Sequence, residues 1–496
     1  MMKIMLNRRD FVKSAATVAL LNTRCASVLS DPPGVLVNDI HSGLNESTVD
    51  SISQPRSVSE LQKEIRSAIR QKKGIAISGG RHAMGGQQFA SGEHLIDIRQ
   101  FNRVLALDRD QGLVTVESGI EWPELIQSLV QSQQGQERSW GIRQKQTGAD
   151  RLTIGGALAA NAHGRGLRMR PFIDDVEALT LIDPSGNVRR CSRNENRDLF
   201  NLVIGGYGLF GVVADVTLRL MPRVKVQRMV ELESVENIMS RFDQRIAEGY
   251  IYGDFQFAID RDSEEFLRRG VFSSYRPVAQ GQEITATQAE LSAEDWSRLF
   301  ILAHKDKKEA FDRYAAYYLN TSGQIYWSDT HQLATYLDDY HRNIDSALGQ
   351  PSRGSEMISE IYVPRHELAS FFAEVRADFR KNSVDLIYGT VRLIEKDEES
   401  FLRWAREPYA CIIFNLHTAH TAHARESTAG HFRRLIDMAR SGGGSYYLTY
   451  HRWARRDQVE TCYPQFAHFL ERKKQWDPQE RFTSDWYRHY QAMFKS

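Results

Sequence analysis

The run SGGRHAMGG, residues 78–86, places one imidazole, His82, among four glycines. Ser78, Gly79, Gly80 and Arg81 precede it, and Ala83 and Met84 follow. Glycine is used where φ must be positive or where another group must approach the backbone closely. Two more such runs follow. TIGGALAANAHGRG, residues 153–166, holds Thr153, Gly155, Gly156, Ala159, Asn161, His163 and Gly164, with Thr147-Gly148 just before it. IGGYGLFGVV ends at Val213. Successive exposed N–H groups in such loops form anion-holding nests, suited above all to pyrophosphate. The spacing is neither G-x-G-x-x-G nor a Walker loop with its lysine. Taken alone, it points to a phosphate-bearing cofactor in a glycine-walled cleft, with tight turns only as the alternative.

The elements that must position these loops are readable from periodicity. SVSELQKEIRSAIRQKKG is a helix with Leu61, Ile65 and Ile69 on one stripe, capped by Ser57 or Ser59 and closed by Gly74. The strands IAIS, LIDI and LVTVES follow, then a helix over EWPELIQSLVQS and a hairpin over EALTLIDPSGNVRRCS. From Ile358 the order is strand, helix, strand, strand, helix, strand, ending on SYYLTY. That is the β-α-β-β-α-β ferredoxin-like unit, an antiparallel sheet with helices on one face. The fold class is therefore α+β. Boundaries fall at 1–30, 50–224, 225–450 and 451–496.

The 496 residues are 41% hydrophobic and 26% charged, with a formal net charge of +1, which excludes a phosphate-backbone binder because no basic excess drives counterion release. Nucleic acid is not an expected partner. NRRDFVK and the weak apolar run after it resemble a twin-arginine export signal, too short to span a bilayer. That implies the translocation machinery as partner, a periplasmic or secreted location, and export of an already folded, cofactor-loaded protein. The four cysteines, Cys25, Cys191, Cys411 and Cys462, form neither a disulfide framework nor a zinc spacing.

In order and spacing, QPRSVSELQ, GGRHAMGG, TIGGALAANAHGRG and DLFNLVIGGYGLFGVVADVTLRL resemble the vanillyl-alcohol-oxidase superfamily, whose FAD domain is the p-cresol-methylhydroxylase type. The resemblance covers residues 54–223, and KKQWDPQERFTSDWYRHY is similar to the segment that returns to that domain. It implies a two-part FAD-binding domain plus a ferredoxin-like substrate (cap) domain. It also implies that the loop glycines wrap the FAD pyrophosphate, that His82 bonds covalently to the isoalloxazine, and that His163 lies close to the flavin. The family commonly has serine after this histidine; here Ala83 stands instead. The middle of the chain is similar only in layout to aldonolactone, alditol and decaprenylphosphoryl-ribose oxidases.

The implied reaction is oxidation of a C–OH group of a sugar, polyol or aldonolactone-like substrate by hydride transfer to flavin N5, with dioxygen, a quinone or a cytochrome as acceptor. Two alternatives stay open: a flavin-bearing binding protein without turnover, and an aldonolactone-type dehydrogenase passing electrons to a carrier. Catalytic candidates lie on the predicted cap strands. Tyr388, Thr390 and Arg392 share one face by the period-two rule. Arg392 is the polarising cation, and Thr390 stands where related sugar oxidases carry an acid. Tyr450 or His451 is the base, and His417 is a residue of the substrate wall. His417, His420 and His423 are spaced three apart, but His417 ends a strand, so no metal site is expected. The face taken by Glu360 is open without the register.

Overall fold

A computed structural model describes residues 34–334 and 340–495. The expected export signal and Cys25 lie outside the described residues. Helix α1, Val58–Gln71, starts where Ser57 accepts the Glu60 N–H at 3.2 Å and buries Leu61, Ile65 and Ala68. It ends two residues before Gly74, on Lys72, whose φ of 56° is left-handed. The cap N–H of Lys72 reaches back to the Ala68 and Ile69 carbonyls, which offsets the cost of that conformation for a residue with a Cβ.

Strands β1 (Ser51–Ser53), β2 (Ile75–Ser78) and β3 (His94–Asp97) form a parallel sheet in the order β1-β3-β2. A second, antiparallel sheet contains β4 (Val104–Asp108), β5 (Leu113–Glu117), β6 (Trp140–Ile142), β7 (Val176–Ile182), β8 (Val188–Ser192) and β9 (Val212–Pro222). Its order is β8-β7-β9-β5-β4, with β6 paired to β9. The DPSG turn joins β7 to β8 as an antiparallel hairpin, as its residues predict. The C-terminal stretch comes back to this half: the Ile75 N–H donates to the Arg481 carbonyl and the Thr483 N–H to the Ile75 carbonyl.

Eight further strands build one antiparallel sheet. They are β10 (Lys225–Ser234), β11 (Tyr252–Phe257), β12 (Arg269–Val278), β13 (Ile325–Trp327), β14 (Gly354–Pro364), β15 (Leu386–Ile394), β16 (Tyr409–Ala419) and β17 (Ser445–Tyr446). Their order is β13-β10-β12-β11-β15-β16-β14-β17. The last four are the β-α-β-β-α-β unit, with helices Leu368–Lys381 and Ala422–Ser441 as its crossovers. SYYLTY is a strand only over its first two residues. After Tyr446 the chain leaves the sheet for the first half: the Tyr447 hydroxyl donates to the Ala160 carbonyl at 2.7 Å, and Gln87 donates to the Thr449 carbonyl at 2.9 Å.

The two faces of this sheet differ in kind. Phe257 and Phe414 point to the helices, where Phe372 lies 5.1 Å from Phe257 and Phe379 lies 5.6 Å from Phe414, ring centre to ring centre. The opposite face is polar. Register fixes it: Gln256 pairs Thr390, Thr390 pairs Ile413, Ile413 pairs Glu360, and Glu356 pairs His417. Paired residues share a face, so Glu356, Glu360, Thr390, Arg392 and Gln256 all look one way. Among the described residues no helix is long and apolar enough to cross a membrane.

Candidate active site

Between that polar face and the glycine loops lies a cavity of about 820 Å³. Residues 79–84 form one edge; Thr147, Gly148, Thr153, Gly155, Gly156 and Ala159 form the next. His163, Val213, Arg392 and Tyr450 also line it. The structure thus brings together most of the residues picked out from sequence.

The glycines have a more local duty than nest-making alone. A Cβ on Gly79 would stand 2.2 Å from Thr153 Oγ1, and one on Gly80 would stand 2.2 Å from the Arg151 carbonyl oxygen. Their bareness lets the first loop pack onto the second. Thr153 is the N-cap of the short helix α2, Ile154–Ala160, and accepts the Gly156 N–H at 3.1 Å. The TIGGALAA run is helical, which its glycines hid from periodicity. Gly80 leaves room for the Arg151 backbone, which lies beside the His82 ring. His82 is 8% exposed. Burial, then the nearby charges of His41 and Arg151, lower its pKa to about 3.

Five of the expected residues lie outside the cavity wall. Asn161 takes a left-handed φ of 48° at the end of α2 and is fully buried, binding Asp397 and the Ile173 N–H, so it locks the helix end. Gly164 sits against the Lys145 carbonyl, where a Cβ would be 2.7 Å away. Ser78 is buried at the end of β2. His417 lies behind Glu356, its Nδ1 3.3 Å from that carboxylate. His451 is on the helix side of the sheet. Its ring stacks on Phe432 at 4.8 Å and on Trp453 at 5.4 Å, and its Nε2 is 3.3 Å from Ser359 Oγ.

His451 therefore does not face the cavity, and burial lowers its pKa to about 3. The folded value is below the ordinary 6.5, so its stabilising share is full above 6.5 and falls as pH drops toward 3. Between about pH 7.5 and about pH 5 that loss is roughly 2 kcal/mol. In His451→Gln the pH dependence of urea unfolding over this interval is expected to flatten by that amount; an unchanged dependence assigns it to other groups.

Sequence left the face of Glu360 open, and the structure puts it at the centre of the polar face. Glu360 Oε1 is 2.5 Å from His163 Nε2, and the side chains are 1% and 3% exposed. His163 Nδ1 lies 3.1 Å from the Gly164 carbonyl oxygen. Burial and then Glu360 push the Tyr450 phenol up, against the pull of Arg392. Burial likewise raises Tyr388, again opposed by Arg392. Thr390 does not line the cavity; its hydroxyl donates to the Phe255 carbonyl at 3.2 Å. Glu356, four residues before Glu360, went unnoticed, although two glutamates in phase within the apolar run SEMISEIYV are a legible signal.

Several buried polar atoms here have no hydrogen-bond partner among the described residues: Ser78 Oγ, Thr147 Oγ1 and Gln88 Oε1 near the loops, Arg392 Nε and Asn415 Oδ1 on the sheet. Buried polar groups are normally satisfied, so a polar ligand between the two walls fits this set. A family model described as an FAD binding domain matches residues 49–192. Over those residues the chain is similar to an FAD binding domain, as its glycine loops lead one to expect. The cavity is near the upper end of ordinary cofactor sites, which run to about 1,000 Å³, and the orphaned hydroxyls beside residues 79–84 suit the polar parts of FAD.

Relatives are similar over stretches of comparable length. An uncharacterized oxidoreductase of the fasciation locus of Rhodococcoides fascians is 30% identical over 179 residues, 36% of this chain and 39% of that one. The L-gulonolactone oxidase of Mus musculus is 28% identical over 194 residues, 39% of this chain and 42% of the relative. The mitochondrial L-galactono-1,4-lactone dehydrogenase of Brassica oleracea is 26% identical over 208 residues, 41% and 33% of the two chains. The matches thus span less than half the length of these curated relatives.

Proposed function

We propose that the protein is an FAD-dependent oxidoreductase that oxidises a C–OH group of a polar substrate, an aldonolactone, sugar or polyol. The observation that carries this is the buried His163–Glu360 pair, set in a polar sheet face opposite the FAD binding loops. FAD, when bound, supplies a two-electron hydride acceptor. The chain has to do the rest. Glu360 is placed to take the hydroxyl proton, as a carboxylate held in position by the His163 imidazole. Arg392 and Asn415 turn unpaired polar atoms to the cavity and orient the substrate oxygens. His82, buried and neutral, is the residue we assign to covalent flavin attachment.

The names of the lactone oxidase and lactone dehydrogenase relatives support the substrate class, and they leave dioxygen, a quinone and a cytochrome as acceptors. Twin-arginine export to the periplasm or beyond remains part of the proposal. The test is anaerobic mixing with a panel of aldonolactones, sugars and polyols. Bleaching of the visible flavin band by at least one of them is expected. A band that stays oxidised while ligands bind would make the protein a flavin-bearing binder.

A further inference from the structure

Farther along the same strand face, a second polar cluster is built from three separate segments. Glu356 on β14 pairs in register with His417 on β16, and His304 comes from the end of the helix Ala293–Lys305. One donor atom from each of the three lies within 4.8 Å of the other two. Glu356 Oε1 is 3.2 Å from His304 Nε2 and 3.3 Å from His417 Nδ1. These separations match the edge of a tetrahedron around a cation with bonds of about 2.0–2.1 Å, which is roughly 3.3 Å.

The environment argues in the same direction. The His304 side chain is 3% exposed, yet its Nε2 makes no proper hydrogen bond among the described residues; it faces the carboxylate without the geometry to donate to it. The other Glu356 oxygen lies 2.8 Å from His341 Nδ1, and His341 Nε2 lies 3.0 Å from the His41 carbonyl oxygen. Glu356 Oε2, like His304 Nε2, makes no proper hydrogen bond among the described residues, so both keep capacity for a cation. Glu356 and His304 both line the cavity, so a fourth position is open to it.

We infer that His304, Glu356 and His417 form a site for a divalent transition cation, zinc by ligand type, with one coordination position open to the cavity. Two imidazoles and a carboxylate with an open position are a ligand set that zinc takes in reactive sites, and hard cations such as magnesium avoid it. Four residues of strand separate Glu356 from Glu360, about 13 Å. The cation therefore does not share the hydroxyl beside Glu360; its open position takes water or a second oxygen of a substrate. Of the three evenly spaced histidines, where sequence led to no expected metal site, only His417 belongs to this set: His420 binds Ser355 Oγ at 2.6 Å and His423 is exposed.

The test uses the full chain without a histidine tag, stripped with a chelator and titrated with Zn²⁺ against a competing dye. One zinc per chain is expected by mass spectrometry, with a zinc-edge X-ray absorption shell of nitrogen and oxygen only and imidazole outer-shell scattering. His304→Gln, His417→Gln and Glu356→Gln are each expected to weaken binding about 10–100-fold or more, with the visible flavin band and thermal midpoint as fold controls. Three variants guard against one that does not fold. Substoichiometric zinc in the wild type, or unchanged affinity in the folded variants, overturns the inference. So does sulfur in the shell, which would move the metal to His163, Glu360 and Cys411, the other converging set among the described residues.

Discussion

Glu360→Gln is expected to slow substrate-driven flavin reduction by about 10²–10⁴-fold, the range for removing a general base. Flavin content and thermal midpoint should stay close to wild type. Glutamine keeps the shape of the side chain and a contact to His163, but its amide cannot accept a proton. The geometry makes Glu360 the proton acceptor: His163, whose Nδ1 faces the Gly164 carbonyl, holds the carboxylate in place through Nε2. Both side chains are almost fully buried, which keeps the contact between them in place. Tyr450 does not take over the role. Burial is the first cause of its raised pKa, and it persists when the Glu360 charge is removed, so the phenol remains a donor. Stopped-flow reduction under anaerobic conditions measures the effect. A wild-type rate in Glu360→Gln would move the base away from this pair.

How far this site was legible depends on the kind of signal each residue leaves. The glycine loops are local: Gly79, Gly80, Gly155 and Gly156 are needed for close approach within about eighty residues of chain, and their runs can be read directly. The β-α-β-β-α-β order follows from periodicity alone, and with it the shared face of Tyr388, Thr390 and Arg392. What sequence withholds is which face meets the cavity. That is set by register across four strands, and a shift of one residue would exchange Glu360 for Ser359. His451 shows the same limit from the other side. It follows Tyr450 directly, yet the chain has left the strand there, so the phenol meets the cavity and the imidazole meets Phe432. The cation cluster is the least legible of all, because His304, Glu356 and His417 converge only when a helix end and two paired strands are in place.

His82→Ala is expected to release all of the flavin into the supernatant after acid precipitation, whereas the wild type keeps its yellow colour in the pellet. The argument starts at Gly80, whose missing side chain admits the Arg151 carbonyl. That backbone group lies beside the His82 ring, and a neutral imidazole keeps one ring nitrogen with its lone pair. Ala83, next in the chain, carries no hydroxyl to orient the ring, and the Arg151 backbone is the group beside it. Burial completes the arrangement. With a pKa of about 3 the imidazole is neutral across the whole physiological range, so the rate of attachment to added FAD should be flat from about pH 5 to about pH 8. An exposed histidine would instead lose rate below its ordinary pKa of 6.5. Acid-stable flavin in His82→Ala would place the bond on another residue. Flavin in the wild-type supernatant would leave His82 as a wall residue, with the cofactor held by the loops alone.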